Sequence, residues 1–280
     1  MSNATRELLE QHFDIAFAAP DGIKKLRELI LTLAMQGKLV PQDANDPPAS
    51  ELLKEIAAEK RRLVKEGKIK APKPLPDIKS EEVPYALPQG WEWCELQDIF
   101  ALVTDGDHQA PPQSETGIPF LVIGNLNTGK VTLNGCRYVP EEYYTSLDWA
   151  RKPTCGDILY TVTGSYGIPV LIETDEKFCV QRHVAILKSS DSTPFAYIRR
   201  FLGSTSAFQF ATAIATGIAQ KTVPLSGLRT LRVPLPPLPE QHRIVAKIDQ
   251  LMALCDTLEQ RIGAANGKQA ELLDALMAAA

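Results

Sequence analysis

Residues 234–252 read PLPPLPEQHRIVAKIDQLM. Four prolines (Pro234, Pro236, Pro237, Pro239) fall within six residues and are followed at once by an apolar-periodic segment. Proline lacks an N–H and fixes φ, so it cannot lie inside a helix or a central strand. The cluster therefore ends one element and opens another. From Ile244 the residues Ile244, Ile248, Leu251, Cys255, Leu258, Ile262, Ala265, Gln269, Leu272 and Leu276 step by 4, 3, 4, 3, 4, 3, 4, 3 and 4. That spacing is a heptad seam. Pro239 suits the first turn, where its missing N–H is no loss. A helix from there to the end of the sequence would run roughly 60 Å at about 1.5 Å per residue, too long to bury its stripe on one compact domain. It needs a partner helix. The alternative is a helical hairpin broken near Gly263, where Gly263, Ala265, Gly267 and Gln269 weaken the seam.

Upstream, residues 1–70 are expected to form a helical region. Thr5 caps a helix through Phe17, ended by Pro20. A second carries Ile23, Leu26, Ile30 and Leu33 and stops at Gly37. A third, with Ser50 as its N-cap, places Leu52, Leu53, Ile56, Leu63 and Val64 opposite Glu51, Lys54, Glu59 and Arg62, and closes at Gly67. Residues 71–87 (APKPLPDIKSEEVPYAL) are proline-rich, of alternating charge and without period, which marks an extended linker. Residues 88–235 change character. IPFLVIG (118–124), DILYTVTG (157–164), PVLIET (169–174) and CVQRHVAILK (179–188) read as short strands, and 194–216 as a helical interruption. The fold class is α+β: a mixed domain at 88–235 without regular βαβ alternation, then a long coiled-coil-like helix at 236–280.

Composition bounds the function. Apolar residues are 44% and charged residues 23% of the 280, enough for a proper core. Five scattered cysteines without a CxxC pair point to reduced thiols rather than a disulfide framework or zinc site. No apolar run is long enough to span a membrane, and the N-terminus (Arg6, Glu7, Glu10) has no hydrophobic signal region, so a cytoplasmic protein is expected. The net charge of −4 hides an asymmetry. Residues 88–150 hold two basic and nine acidic side chains, whereas 151–232 hold ten basic and five acidic. A local basic face on an acidic chain is compatible with nucleic-acid binding.

Catalytic patterns are few. There is no GxxxxGK or GxGxxG loop, and His12, His108, His183 and His242 share no metal-ligand spacing, so no cofactor or metal is expected. TGSYG (163–167) misses the nucleophile elbow at its first position, and NDPP (45–48) is followed by Ala49 rather than the aromatic of an adenine-methyltransferase tetrapeptide. Asp157 with Asp175, Glu176 and Lys177 has the loose pattern of a Mg²⁺-dependent nuclease, although ETDEK also reads as a polar turn. What the strand-rich region does offer is polar side chains held in turns. DGDHQAPP presents His108 and Gln109, and IGNLNTGK presents Asn125, Asn127 and Lys130. VTGSYG adds Thr163, Ser165 and Tyr166, QRH adds Arg182, and GIAQK adds Gln220 and Lys221. Asn and Gln can bond adenine bidentately, and Arg and Lys can take guanine or phosphate.

GIAQKTVPLSGLRTLRVPLPPLPEQHRIVAKIDQLMALCDTLEQ resembles the junction between target-recognition domain and spacer helix in specificity subunits of type I restriction-modification enzymes. The segments LRELILTLAMQGKLVPQDANDPPASELLKEIAAEKRRLVKEGKIK, LPQGWEWCELQDIF, DGDHQAPP and YTVTGSYGIP agree, so the resemblance covers nearly the whole chain. It implies a non-catalytic subunit that binds one half of a bipartite double-stranded DNA target and docks adenine methyltransferase (M) subunits, with the restriction (R) subunit joining through the complex. It also implies an antiparallel pair of spacer helices, here lined by Ile244, Ile248, Leu251, Cys255, Leu258, Ile262, Leu272 and Leu276, with self-association as one way to supply the second helix. Glu240, Gln241 and Arg243 match the family core and are expected to be structural. The family has two recognition domains and two spacer helices per subunit; here there is one of each. Either the chain pairs with itself, or it is the N-terminal part of a longer protein, which the apolar end LMAAA favours. A Mg²⁺-dependent nuclease and a coiled-coil adaptor that binds only protein stay open as other readings.

Overall fold

The computed structural model describes residues 21–76 and 78–279. The expected helix Thr5–Phe17 lies outside them. The described residues divide into two compact units, those up to 42 together with those from 242, and those within 43–241.

In the first unit, α1 (Gly22–Met35) buries Ile23, Ile30, Ala34 and Met35. It stops as the glycine at position 37 predicts: Gly37 takes φ +67°, and Lys38 N–H reaches back to Leu33 O at 2.9 Å. The other element is the long helix α8 (Leu238–Ala279), unbroken for 42 residues, so Gly263 does not interrupt it. Arg27 of α1 donates to Asp256 Oδ1 at 2.7 Å and to Glu259 Oε2 at 2.8 Å, which lays α1 alongside the middle of α8. Along the seam, Ile244, Ile248 and Cys255 are buried, Leu251, Leu258 and Ile262 are half-buried, and Leu272 and Leu276 are largely exposed.

The second unit opens with α2 (Ala49–Lys65), which buries Leu52, Ile56 and Leu63. Pro48 occupies its N-cap, so Ser50 sits in the first turn instead of capping it. The proline-rich stretch that follows belongs to the same compact unit, where the sequence suggested a separating linker. An extended, proline-rich backbone cannot use its own carbonyls, and neighbouring donors take them. Gln97 Nε2 donates to Lys73 O at 3.0 Å, Trp93 Nε1 donates to Tyr85 O at 3.4 Å, and Arg232 bonds both Glu82 O and the Glu82 carboxylate.

Three small sheets follow. β1 (Glu92–Glu95) pairs antiparallel with β9 (Arg232–Leu235). Pro234 therefore lies within a strand, opposite Trp93. A two-stranded sheet consists only of edges, where a missing donor is tolerated, and its carbonyl still accepts from Tyr197 Oη at 2.6 Å. The main sheet has the order β2-β8-β5-β6, all antiparallel: β2 (Leu102–Asp105), β8 (Val184–Lys188), β5 (Ile158–Thr161) and β6 (Pro169–Leu171). Both inner strands are buried at every position, which fits their apolar runs Ile158–Tyr160 and Val184–Leu187; the terminal Thr161 and Lys188 are buried polar residues. The third sheet, β4-β3-β7, comprises β3 (Ile118–Leu121), β4 (Arg137–Val139) and the two-residue β7 (Cys179–Val180), parallel to β3. The run 179–188 is thus two strands in two sheets. Leu121, Leu126, Leu159, Val170, Ile172, Phe178, Val180, Val184 and Ile186 form the core between them.

Helices α3 (Leu96–Ile99) and α4 (Glu141–Ser146) are short. The expected helical stretch 194–216 is α5 (Phe195–Leu202) and α6 (Thr205–Ile214), separated where Ser204 accepts from Ala207 N–H as the cap of α6; α7 (Leu225–Arg229) precedes β9. Among the described residues no helix is long and apolar enough to cross a membrane.

Candidate nucleic-acid interface

The register of the main sheet decides which loops meet. Asp105 and Tyr160 both lie opposite Ala185, and Thr161 lies opposite Val184. The chain after β2, after β5 and before β8 therefore leaves from the same end. β3 ends beside it, since Gln181 N–H donates to Leu121 O at 3.0 Å. Segment 216–222 joins through paired hydrogen bonds: Gly164 N–H to Lys221 O at 3.0 Å and Val223 N–H to Val162 O at 2.8 Å. Loops 105–112, 122–130, 162–167, 181–183 and 216–222 thus cluster at one end of the fold.

Two glycines make the clustering sterically feasible. A Cβ on Gly106 would lie 2.0 Å from Val180 O, so only glycine lets the 105–107 backbone run beside 180–181, where Asp107 and Gln181 form a parallel bridge. Gly217 takes φ +102°, and a Cβ there would lie 2.4 Å from Gln220 O.

The side chains at this end divide into exposed and internal groups. His108, Gln109, Asn127, Lys130, Ser165, Arg182, Gln220 and Lys221 are exposed. Tyr166 is half-buried, stacked on Phe208 with ring centroids 5.6 Å apart, and its hydroxyl lies 3.2 Å from Thr212 Oγ1. Asn125 and Thr163 are turned inward. The Asn125 amide accepts from Val122 N–H and donates to Thr132 O, both at 3.0 Å, so it closes its own loop. Thr163 Oγ1 accepts from Thr222 Oγ1 at 3.3 Å in a buried position that ties segment 216–222 to the sheet. Neither presents its polar group outward.

Sequence reading missed the group that orders the first loop. Asp107 accepts from Tyr143 Oη at 2.9 Å, Arg151 Nη1 at 2.7 Å and Gln109 N–H at 3.3 Å. Burial opposes its charge, but these donors and the Arg151 cation outweigh it and hold the carboxyl below its ordinary range. The only sequence signal was the aspartate two residues before Gln109, a turn-forming offset. His108 Nε2 lies 2.9 Å from Asp105 Oδ2. The Arg151 cation offsets the Asp107 charge, which limits its repulsion of a phosphate. In the 181–183 turn, Arg182 Nε donates to His183 Nε2 at 3.4 Å. Burial, then the Arg182 charge, lowers the His183 pKa and favours the neutral ring.

The nuclease pattern comes apart in the fold. Asp157 is buried, and its carboxylate accepts from Lys188 Nζ at 2.5 Å, Thr154 N–H and Ser189 N–H at 2.8 Å, and Thr154 Oγ1 at 3.0 Å. A carboxylate so occupied cannot serve as a metal ligand, and Asp175, Glu176 and Lys177 are exposed loop residues. Among the described residues no cluster of three or more His, Cys, Asp and Glu side chains could hold a metal ion. Glu240 and Gln241, matched to the family core above, are buried: Trp91 Nε1 donates to Glu240 Oε2 at 3.0 Å, and Gln241 Nε2 donates to Pro236 O at 2.7 Å.

Comparison with known proteins identifies the family. A family profile described as type I restriction modification DNA specificity domain matches residues 88–265. The chain is 34% identical to the type I restriction enzyme EcoAI specificity subunit of Escherichia coli, over 97% of this chain and 47% of that protein. It is 36% identical to the EcoEI specificity subunit of the same species, again over 97% and 47%. The chain therefore spans about half the length of these relatives. In fold it is similar to a chain from a solved structure concerned with complex assembly and conformational transition of the type I R-M system, with a TM-score of 0.52 at 19% identity, covering 94% of this chain and 56% of that one. A match across most of the strand-rich unit and into the long helix shows that the chain belongs to the type I restriction-modification DNA specificity domain family.

Proposed function

We propose that this chain is a non-catalytic DNA-recognition subunit of a type I restriction-modification complex. Its recognition domain, residues 88–235, reads one half of a bipartite double-stranded target. The observation that carries the reading is the convergence of exposed Asn127, Lys130, Arg182, Gln220 and Lys221 on one end of the fold. These are the side-chain types that bond adenine, guanine and phosphate. The long helix, residues 236–280, acts as spacer. Its exposed Leu272, Leu276 and Met277 call for a second helix, supplied by another copy or by a longer form of the chain. A rigid helix pair would fix the separation of two half-sites. Methyltransferase subunits dock on this assembly and carry the chemistry in the cytoplasm, and the restriction subunit joins through them.

A methylation map tests the proposal. The chain is co-expressed with the methyltransferase subunit encoded beside it, and modified adenines are read across a plasmid library. One motif that depends on the chain supports the reading, and an interrupted palindrome would mean that two copies pair. If a folded chain bound to its methyltransferase leaves the modified sequences unchanged when the five loops are replaced, the reading falls.

A further inference from the structure

Loop 216–222 carries a side chain that the hydrogen-bonding set does not explain. Ile218 has 106% relative exposure, whereas no other large apolar side chain described outside α8 exceeds 47%. Single exposed apolar residues are ordinary on protein surfaces. This one is unusual because its loop is built to hold it out. Thr216 and Thr222 exchange both backbone hydrogen bonds, at 2.9 and 2.8 Å. Gly217 adopts a conformation closed to other residues, with Gln220 O where a side chain would start. The Thr163–Thr222 hydroxyl contact fixes the base of the loop to the sheet. Ile218 is therefore presented to water by a locked backbone, two residues before Gln220.

We propose that Ile218 is a specificity-determining residue that packs on the C5-methyl group of a thymine in the major groove of the target half-site. The inference rests on the DNA-recognition reading above. Most base-edge atoms in the grooves form hydrogen bonds, and the thymine methyl is the apolar group that the major groove presents. An isoleucine locked beside a glutamine matches an A·T-containing step, where Gln220 meets an adenine edge and Ile218 a methyl.

The test uses the complex with its methyltransferase subunits and duplexes carrying the selected half-site, with each thymine replaced in turn by deoxyuridine. Dissociation constants are measured at fixed salt for the parent protein and for Ile218→Ala. At one position, deoxyuridine should weaken the parent about fourfold, the scale of one methyl contact, and leave Ile218→Ala unaffected. Gln220→Ala should keep the deoxyuridine response at that position, which separates the methyl contact from general damage to the loop. If Ile218→Ala binds every duplex like the parent, or weakens all of them equally while every thymine keeps its response, the assignment is overturned. If neither protein distinguishes the selected sequence from random duplex, the DNA-recognition reading has failed and this inference with it.

Discussion

Trp91, just before the first strand of the recognition unit, donates its indole N–H to Glu240, in the first turn of the long helix, at 3.0 Å, with both side chains buried. The contact joins residues 149 apart in sequence. It also gives Glu240 a physical role in place of a motif label. Trp91→Phe keeps most of the ring and removes one donor to a buried carboxylate, so it should cost about 1–3 kcal/mol of unfolding free energy. Urea titration followed by circular dichroism measures this. An unchanged midpoint and slope would show that the bond contributes nothing.

The Asp157–Lys188 pair sits at the far end of the main sheet from the recognition loops, each side chain almost fully buried. Lys188 Nζ also donates to Lys152 O at 3.0 Å and to Thr154 Oγ1 at 3.1 Å. Replacing Lys188 alone with Met should destabilise the protein by about 3–5 kcal/mol, since it strands a buried carboxylate. The double change Asp157→Leu with Lys188→Met should recover much of that loss. Equal destabilisation in the single and double variants would contradict the assignment of the pair as a coupled unit.

His183 makes stability sensitive to acid. Its folded-state pKa is lowered by burial and by Arg182, below an ordinary value of about 6.5. The unfolded chain therefore takes up the proton first as pH falls. The contribution from the neutral ring is present above about pH 6.5 and is lost as the pH drops below it. Thermal melts from pH 7.5 to 5 should show a decline that His183→Gln makes shallower. Parallel curves for the two proteins would remove His183 as the cause.

Much of the architecture was legible in the sequence, for a physical reason in each case. The 4-3 spacing from Ile244 to Leu276 is a local pattern, and the helix that it predicts is continuous. β3, β5 and β6 follow from compact apolar runs between turn formers. Strand β1 gives little signal because EWCE (92–95) holds only two apolar residues between two charges, and β9 because it contains Pro234. The run 179–188 reads as one strand because nothing local says that Cys179–Val180 pairs with β3 while Val184–Lys188 pairs with β5 and β2. At the candidate site, residue type could not separate outward groups from inward ones. Asn125 and Asn127 have the same chemistry, yet one closes its own loop and the other faces water. Ile218 carried no signal at all, since an apolar residue in a turn reads as core until its exposure is known.

Salt dependence separates a DNA reader from an adaptor that binds only protein. A specific complex should lose affinity linearly in log salt, and Lys221→Ala should lower the slope by about 0.9 if Lys221 neutralises one phosphate. Fluorescence anisotropy with a labelled duplex between 50 and 300 mM salt, roughly the range where counterion release dominates, gives both numbers. A slope near zero for the parent protein would leave only the adaptor reading.

The most direct test of the central claim is selection from a pool of random duplexes by the chain in complex with its methyltransferase subunits, with the bound fraction sequenced. The account predicts one enriched half-site, lost or altered when Arg182, Gln220 and Lys221 are changed together to alanine. Enrichment that survives the triple change intact, or a folded complex that enriches nothing, would contradict the placement of sequence recognition at this end of the fold.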